Sequence, residues 1–393
     1  MDNYTMIPLA DNVDEMFIGP FGSSLKNDCF VEKENGYCMV YEQKHAIQKT
    51  MDVETRYVSE EKYNELKRFN VRGGDIIVSC RGTIGETFVV PDDAPLGIMH
   101  PSIMKIRLKE DVYDKSYFNL LLRECLKKYD TAANGSGVKM AISAKELGSE
   151  LFPVPPMDEQ RKISKTISEI SEIIAARQQQ LQKLDELVKA QFVELFGDMI
   201  LNPNSWEKVD LGTVCDVRDG THDSPKYFAE GIPLVTSRNL SSGRIDFTDC
   251  NLICEADYNK INERSKVDLG DILMPMIGTV GNPIIVDIDA EFAIKNVALI
   301  KFSENSKVVN VFVKALLESD YFDRAVLDKV RGGTQKFISL GDIRRLKACL
   351  PPLEVQKQFA AFVTQADKSK AVIQKALNEA QLLFDGLMQK YFG

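Results

Sequence analysis

The sequence contains few of the groups on which enzymes and metal sites usually rely. It has three histidines and one tryptophan among 393 residues, which leaves little material for histidine-based catalysis. Its eight cysteines form no Cys-x-x-Cys pair, and the nearest two are Cys250 and Cys254. This spacing argues against a zinc site and predicts reduced, mostly buried thiols in a cytoplasmic protein.

Membrane and export signals are also missing. No apolar run approaches the roughly 20 residues that span a bilayer. Asp2, Asp11 and Asp14 interrupt the N-terminus, where a signal peptide would be apolar. We therefore predict no membrane association and a cytoplasmic location.

Nucleotide-binding and nucleophile motifs are absent as well. There is no Gly-x-x-x-x-Gly-Lys-Ser/Thr loop and no nucleophile elbow, so neither ATP hydrolysis nor serine chemistry is expected of this chain. The stretch 17–22 only weakly resembles a methyl-donor loop, because no Asn-Pro-Pro-aromatic or Asp-Pro-Pro-aromatic element follows it. We predict that the chain is not an enzyme and binds no cofactor or metal itself.

The overall charge does not favour any class of partner. The net charge is −9, from 49 basic and 58 acidic residues, which is weak evidence against nucleic-acid binding. A binding face can still be locally basic while the helices carry the acidic residues. The hydrophobic content of 44% is sufficient for two or more packed domains.

The dominant pattern is a long amphipathic helix predicted over residues 157–195. One stripe recurs at alternating steps of four and three, and it consists of Ile163, Ile167, Ile170, Ile174, Arg177, Leu181, Leu184, Val188, Gln191 and Leu195. This is a heptad repeat, which we call the seam of the first helix. A single helix cannot bury such a seam against itself, so it needs a partner.

The partner is a second copy of the same stretch, 196 residues further along the chain. Pro351-Pro352-Leu353-Glu354-Val355-Gln356 repeats Pro155-Pro156-Met157-Asp158-Glu159-Gln160. The seam of the second helix, at the same offset, is Phe359, Val363, Ala366, Lys370, Ile373, Leu377, Ala380, Phe384, Leu387 and Tyr391. Eight of these ten residues are apolar, so motif and phase both repeat, which indicates an internal duplication.

The segments before the helices form two α/β globular domains on the same framework. Strands are predicted at 75–79, 87–90, 103–108 and 297–301, and helices at 116–129 and 311–327. Segments 17–70 and 216–265 diverge from each other. The predicted domains are 1–156, the helix 157–200, a second globular domain 201–352 and the helix 353–393.

Two helices of this kind favour antiparallel pairing as a coiled coil with pseudo-twofold symmetry, since a duplicated unit tends to pair with its copy in this way. Each helix would be roughly 58 Å long at about 1.5 Å per residue. One globular domain would lie at each end of the rod, whereas parallel pairing would put both at one end. Such a rod can place the two globular domains on duplex DNA at sites about one helical turn apart, roughly 34–36 Å. The alternative is a coiled-coil scaffold whose globular domains bind proteins.

The junctions between domains and helices resemble a known family. Gly135-Ser136-Gly137, Ile142-Ser143 and Pro155-Pro156-Met157-Asp158-Glu159-Gln160 are answered by Gly332-Gly333-Thr334-Gln335, Ile338-Ser339 and the second Pro-Pro-x-x-x-Gln motif. Gly220-Thr221-His222-Asp223-Ser224-Pro225 is similar to a loop near the start of the family's target recognition domains. These motifs resemble the specificity subunit of type I restriction–modification systems over essentially the whole chain. Val355 departs from the family's Glu-Gln pair, which stands intact at Glu159-Gln160.

The resemblance implies two target recognition domains that read the two parts of a bipartite DNA sequence. It implies that the long helices act as a spacer and as the dock for two methyltransferase subunits, which methylate adenine in DNA, and that a nuclease–translocase (restriction) subunit joins the complex. S-adenosylmethionine, ATP and Mg²⁺ would then be bound by the partner subunits, and this chain would be non-catalytic.

Candidate DNA-binding residues are polar or basic side chains in the loops of the two globular domains, since phosphates and base edges take Arg, Lys, Asn, Gln, Ser and Thr. They are Ser24, Lys26, Arg81, Thr83 and Lys139 in the first domain, and Thr221, His222, Lys226, Arg238, Asn239, Thr279, Arg331, Gln335 and Lys336 in the second.

Four of the candidates carry more specific expectations. Arg81 lies in a Gly-flanked turn, yet its counterpart Ile277 is apolar. This difference is typical either of residues that each read one particular half-site or of an exposed position whose residue type is unconstrained. A lysine recurs in the polar loop of both copies, as Lys139 and Lys336, which favours phosphate anchoring. His222 is expected to face DNA or to cap its loop rather than to act as a base.

Arg177 and Lys370, which interrupt the seams, could fix the register of the helix pair.

Overall fold

The repeat seen in the sequence corresponds to two units in the computed structural model, which describes residues 4–133, 143–277, 281–326 and 337–393. Unit 1 comprises Met1–Ala176 and Leu377–Gly393, and unit 2 comprises Arg177–Ala376. Each of the two long helices therefore contributes one half to each unit. Among the helices in these ranges, none combines the length and the apolar character that a bilayer crossing requires.

The first unit is built on three sheets. Its strands are β1 (Met6–Pro8), β2 (Val13–Ile18), β3 (Phe30–Val31), β4 (Cys38–Tyr41), β5 (Tyr57–Val58), β6 (Asn70–Val71), β7 (Ile76–Ser79), β8 (Thr87–Val89), β9 (Gly97–Met99), β10 (Ile103–Leu108) and β11 (Leu151–Pro153). One sheet is antiparallel in the order β2-β10-β7-β8, and a second has the order β3-β5-β4-β9-β6, with β4 and β9 parallel. The pair β1-β11 closes the domain beside the start of the first long helix.

The helices of unit 1 pack against its two larger sheets. They are α1 (Gln43–Gln48), α2 (Glu60–Glu65), α3 (Lys115–Ala133), α4 (Ala144–Ser149), the first half of α5 (Met157–Phe196) and the last part of the second long helix, from Leu377. Phe118 and Leu122 of α3 are fully buried and pack with Ile76 and Ile106 of the sheet and with Phe152. The spacing of the apolar residues in α3 is thus explained by one core-facing stripe.

The second unit repeats this plan with fewer strands. They are β12 (Lys208–Asp210), β13 (Asp216–Asp219), β14 (Ile232–Val235), β15 (Asn251–Ile253), β16 (Ile272–Pro275), β17 (Ile284–Ile285), β18 (Ala293–Ile294), β19 (Val297–Lys301) and β20 (Lys347–Cys349). The sheet β13-β19-β16-β17 is the counterpart of β2-β10-β7-β8, and the pair β12-β20 is the counterpart of β1-β11. A three-stranded sheet, β15-β14-β18, stands where unit 1 has five strands.

The helices of unit 2 are the second half of α5, then α6 (Glu255–Ser265), α7 (Asn310–Leu317), α8 (Asp320–Ala325), α9 (Leu340–Arg344) and the first part of α10 (Leu353–Phe392), as far as Ala376. The prediction of a single helix over 311–327 is wrong, because the helix is interrupted between α7 and α8. Ser319 adopts an extended conformation there, and its hydroxyl donates to the Leu316 carbonyl at 2.6 Å. A serine that bonds to the preceding turn in this way competes with helix continuation.

A lysine inside each domain makes equivalent contacts, although Lys105 is buried and Lys301 is half-buried and takes the sheet position of Arg107. Lys105 Nζ donates to the Asn70 carbonyl at 2.7 Å, and Lys301 Nζ donates to the Lys266 carbonyl at 3.0 Å. Each lysine also pairs with carboxylates, Lys105 with Glu15 and Lys301 with Asp268 and Asp271. The duplication therefore extends to polar contacts inside the domains.

The two long helices follow the predicted seams. Both α5 and α10 have 40 residues, and every seam position in each helix is buried or half-buried. Gly197 ends α5 in the left-handed region at φ 68°, where an added Cβ would lie 2.5 Å from Cγ of Pro203. The helix therefore stops where only glycine fits easily.

Within each unit, the last turns of one long helix pack against the first turns of the other. In unit 1, Phe392 of α10 lies 5.5 Å from the Tyr117 ring and shares a core with Ile163 and Ile167 of α5. In unit 2, Phe196 of α5 lies 5.4 Å from the ring of Phe359 of α10.

The two charged residues of the seams have different roles in unit 2. Lys370 Nζ reaches across to Asp185 Oδ1 of the other helix at 2.6 Å. Arg177 instead donates to Gln180 Oε1 within its own helix at 2.8 Å. Of the two, Lys370 is therefore the one whose contact links the helices.

Candidate nucleic-acid interface

In unit 2, several loops emerge from one end of the antiparallel sheet. Asp219 at the end of β13 lies opposite Ala298 of β19, and Pro275 at the end of β16 lies opposite Val297. The parallel strands β14 and β18 end at the same place, because the Lys295 N–H donates to the Val235 carbonyl at 2.9 Å. We call this the recognition end of unit 2.

His222 occupies the centre of this end. One ring nitrogen, Nε2, lies 2.7 Å from Asp219 Oδ2, and the other, Nδ1, lies 2.8 Å from Asn296 Oδ1. Asp219 is buried and also pairs with Arg264 of α6. These contacts fix an otherwise exposed imidazole to the framework.

Gly220 and Thr221 hold the loop that carries the histidine. A Cβ at Gly220 would lie 2.2 Å from the Ile294 carbonyl oxygen, so no other residue fits there without a shift of the backbone. The Thr221 N–H donates to the Ile294 carbonyl at 3.0 Å, and its hydroxyl accepts from the Asp223 N–H at 3.1 Å. Thr221 is half-buried and shapes the loop.

The other predicted residues of unit 2 differ in accessibility. Lys226 and Arg238 are exposed, and Lys226 Nζ lies 5.7 Å from the centroid of the Phe228 ring. Asn239 is buried, and its side chain accepts from Thr236 and donates to the Asp246 carbonyl. The structure therefore corrects the expectation for Asn239, which holds the 237–240 turn together instead of facing solvent.

Three residues at this end were missed by the sequence reasoning. Asn296 and Arg264 position His222 through the contacts above, and Lys295 Nζ donates to Ser224 Oγ at 2.6 Å. Asn296 has a positive φ of 55°, which is uncommon outside glycine. Their distance along the chain from the loop hid them, although Lys295-Asn296 directly precedes a predicted strand.

Unit 1 has an equivalent recognition end. The Gly19 N–H donates to the Ile103 carbonyl, the Cys80 N–H donates to the Ser102 carbonyl, and the His100 N–H donates to the Tyr41 carbonyl, each at 2.9 Å. The loops after β2, β4, β7 and β9 therefore emerge together. His100 stands at the position that Lys295 occupies in unit 2, because both N–H groups donate to the last carbonyl of the neighbouring parallel strand, so the same framework presents different side chains.

The predicted residues of unit 1 are mostly accessible. Arg81 and Thr83 are exposed in the turn after β7, in which Gly82 and Gly85 have φ values of 74° and 88°. Ser24 is half-buried in a single helical turn, Gly22–Ser24, and Lys26 is exposed just beyond it. All four lie in the two loops, after β2 and β7, that leave this end.

A charged group at the start of α1 was also missed. Glu42 lies 2.9 Å from Lys44 Nζ and also pairs with Arg56. Burial opposes ionisation of the Glu42 carboxyl, but hydrogen bonds from Arg56 and Lys44 outweigh it and hold its pKa below the ordinary value. His100 accepts at Nδ1 from the Ser102 N–H at 3.2 Å, and burial lowers the pKa of its ring. The imidazole of His100 is therefore neutral at pH 7 and can act as an acceptor.

The remaining predicted residues, Lys139, Thr279, Arg331, Gln335 and Lys336, lie outside the described residues. Within the described ranges, no group of three or more His, Cys, Asp or Glu side chains is arranged to hold a metal ion.

A duplicated α/β domain, with each copy followed by a helix of 40 residues, defines a protein with two recognition domains. The family model for the type I restriction modification DNA specificity domain matches residues 17–186 and again residues 203–382. The chain belongs to this family. It is a specificity subunit of a type I restriction–modification system, with two DNA-recognition domains.

Relatives with this description resemble the chain over most of its length. The specificity subunit of the type I restriction enzyme MjaVIII from Methanocaldococcus jannaschii is 27% identical over 339 residues, covering 79% of this chain and 78% of the relative. The EcoBI specificity subunit from Escherichia coli is 22% identical over 342 residues, covering 80% of this chain and 71% of the relative.

Two solved structures share the fold. The S subunit of a type I restriction-modification system from M. genitalium superimposes with a TM-score of 0.59 at 16% identity, covering 100% of this chain and 96% of that one. A chain from a study of complex assembly and conformational transition of the type I R-M system gives a TM-score of 0.58 at 17% identity, covering 99% of this chain and 97% of that one.

Proposed function

We propose that each recognition end reads one part of a bipartite DNA sequence. The observation that carries this proposal is that one framework occurs twice with different side chains at its exposed end. His100 takes the place of Lys295, and Arg81 takes the place of Ile277. A protein that read two identical half-sites would need no such difference, whereas two unlike half-sites require different hydrogen-bonding groups on a common support.

The accessible basic and polar residues have distinct roles in this proposal. Lys26, Lys226 and Arg238 lie in exposed loops and contact phosphates, which supply most of the affinity and its dependence on salt. Arg81, Thr83 and His222 lie directly at the strand ends, where they reach base edges. Ser24 and Thr221 are half-buried and help to present the neighbouring groups.

We further propose that α5 and α10 pair along their whole length as an antiparallel coiled coil that sets the distance between the half-sites. Three observations support this pairing. The seam positions of both helices are covered. Phe392 packs near the start of α5 and Phe196 near the start of α10. The ion pair between Lys370 and Asp185 links the helices away from their ends.

The long helices also supply the docking surface for two methyltransferase subunits, with a restriction subunit joining the complex. Apolar side chains outside the seams support this role because they are exposed in the isolated chain: Ile173, Leu187, Val193, Val372, Leu382 and Leu383. In this scheme the chain performs no reaction itself. The partner subunits bind S-adenosylmethionine, ATP and Mg²⁺, and the complex works in the cytoplasm.

The proposal is tested by mapping DNA methylation. The chain and its methyltransferase subunits are expressed in a strain without other adenine methylation, and modified positions are sequenced genome-wide. We expect two short specified segments separated by a gap of fixed length and unspecified sequence. A single contiguous motif, or no methylation with a stable complex present, would contradict it. The protein-binding scaffold alternative predicts in addition no salt-dependent shift of duplex DNA by the assembled complex.

A further inference from the structure

Phe21 is the most exposed large hydrophobic side chain among the described residues, with 87% of its surface accessible. It lies in the loop after β2, between Pro20 and Gly22, and this loop leaves the recognition end of unit 1. An exposed phenylalanine costs solubility and gives no packing energy to the folded domain. The exposure of this side chain therefore indicates that it binds a ligand and does not serve the packing of the domain.

The loop is anchored on both sides of this exposed ring. On one side, the Gly19 N–H donates to the Ile103 carbonyl at 2.9 Å, and Pro20 is buried. On the other side, the Ser24 N–H donates to the Phe21 carbonyl at 2.8 Å, and Leu25 is buried with Val40 and Ile98. The phenyl ring is thus presented from a fixed backbone, so little backbone entropy is lost when it meets a ligand.

Close packing of the backbone fixes the start of the loop. A Cβ at Gly19 would lie 2.2 Å from the His100 carbonyl oxygen, so the loop passes directly over the segment that carries His100. Arg81 leaves the same end of the sheet after β7 and is exposed. An aromatic ring, an arginine and, further along the loop, the exposed Lys26 therefore project from one end of the domain. This combination matches a duplex, which offers apolar base faces between rows of phosphates.

Resting on the proposed function, we infer that Phe21 is an apolar wedge that inserts against the bases of the half-site read by unit 1. Side chains of this type enter a base step, partly unstack it and bend the duplex, so that they favour sequences with easily deformed steps. Phe21 then contributes to specificity through the deformability of the site, while the neighbouring polar groups read base edges.

The test uses the complete complex with its methyltransferase subunits and duplexes that contain the methylated sequence. 2-Aminopurine is placed at successive positions of each half-site, and its fluorescence rises where a base is unstacked. The wild-type complex is expected to show a rise in one half-site outside the methylated adenine. Phe21→Ala should abolish that rise and weaken specific binding by about 10- to 100-fold, with less than about threefold loss on random duplex. Phe21→Trp should retain both.

Tyr37→Ala is the matched control. Tyr37 is another exposed aromatic residue, with 50% accessibility, but it precedes β4 and so lies at the opposite end of that strand from the recognition end. It should leave the fluorescence and the affinity unchanged. Thermal melting of each variant checks that the domain remains folded.

Two results would overturn the inference. One is unchanged specific affinity and fluorescence in the Phe21→Ala complex. The other is loss of the methyltransferase subunits from the Phe21→Ala complex, which would assign the ring to a protein interface. Failure of the wild-type complex to bind the methylated sequence would instead contradict the proposed function, and with it the inference.

Discussion

The side chain of Gln160 accepts a hydrogen bond at Oε1 from the backbone N–H of Asp114, 2.9 Å away, and so ties the first long helix to the globular domain that precedes it. Its Nε2 donates to the carbonyls of Val112 and Pro155 at 3.0 and 2.8 Å. In unit 2, Gln356 makes the same three bonds, to the N–H of Val309 and to the carbonyls of Lys307 and Pro351. The glutamine of the Pro-Pro-x-x-x-Gln motif is therefore a buried link between domain and helix.

Replacing Gln160 by alanine is expected to destabilise unit 1 by about 2 kcal/mol, because one buried and two half-buried backbone groups would lose their partner. Differential scanning calorimetry of the full chain measures the effect as a lower transition temperature. Gln356→Ala should have a similar effect on unit 2.

Gln178→Ala on the exposed face of the same helix is the control, and it should stay within about 0.5 kcal/mol of wild type. An equally small effect of Gln160→Ala would show that the motif does not hold the helix to the domain.

The sequence predicted some of these features and not others for identifiable reasons. The seams were fully predictable, because a heptad repeat in a helix of 40 residues is a strong periodic signal. Strand β10 was predicted at its observed bounds. The five-stranded sheet of unit 1 was missed, since strands of two to four residues, such as Phe30–Val31, carry no usable periodicity. At the candidate site, Arg81 and His222 were visible in their loops, but the support from Asn296 depends on tertiary contacts.

A pH dependence is expected from Glu15, which pairs with the buried Lys105 and lies 2.7 Å from Arg107 Nη1. Burial raises the pKa of the Glu15 carboxyl, but the hydrogen bond from Lys105 and the neighbouring charges outweigh it, so the pKa is below its ordinary value of 4.5. The ionised form therefore stabilises the folded state above about pH 4.5, and this contribution is lost as the pH falls through the lower folded value.

Glu15→Gln should accordingly be less stable than wild type at pH 7, and the difference should shrink below about pH 4.5. Chemical denaturation at a series of pH values measures it. Asp14→Asn, at an exposed neighbouring position, should remain within about 0.5 kcal/mol of wild type at pH 7. A gap between Glu15→Gln and wild type that stays constant from pH 7 to pH 3 would refute the assignment.

Asp219→Ala is expected to loosen recognition in one half-site only. The substitution removes the carboxylate that holds His222 and Arg264, so the imidazole loses its fixed position. We predict methylation of sequences with altered bases in the half-site of unit 2, at about 10-fold lower discrimination, and no change in the other half. Methylation mapping measures both at once.

Asp223→Ala, in the exposed part of the same loop, is the comparison and should retain the wild-type motif. If Asp219→Ala left both half-sites unaltered in a folded protein, His222 would not be a reading residue.

Inserting one heptad into each long helix is expected to lengthen the spacer. Seven residues add roughly 10 Å at about 1.5 Å per residue, which corresponds to about three base pairs. The gap in the methylated sequence should widen by that number. An insertion of two residues instead turns the seam by about 200°, at roughly 100° per residue, so the seams are out of phase and methylation should be abolished. A complex that still methylated the original gap after the heptad insertions would exclude a ruler function for the helices.

The most direct test that each globular domain reads one half-site independently is to exchange residues 1–156 for those of another member of the family. The methylated positions are then sequenced in cells that carry the chimaera. We predict that one half of the recognised sequence changes, while the other half and the length of the gap stay the same. A change in both halves would contradict the assignment of one half-site to each domain.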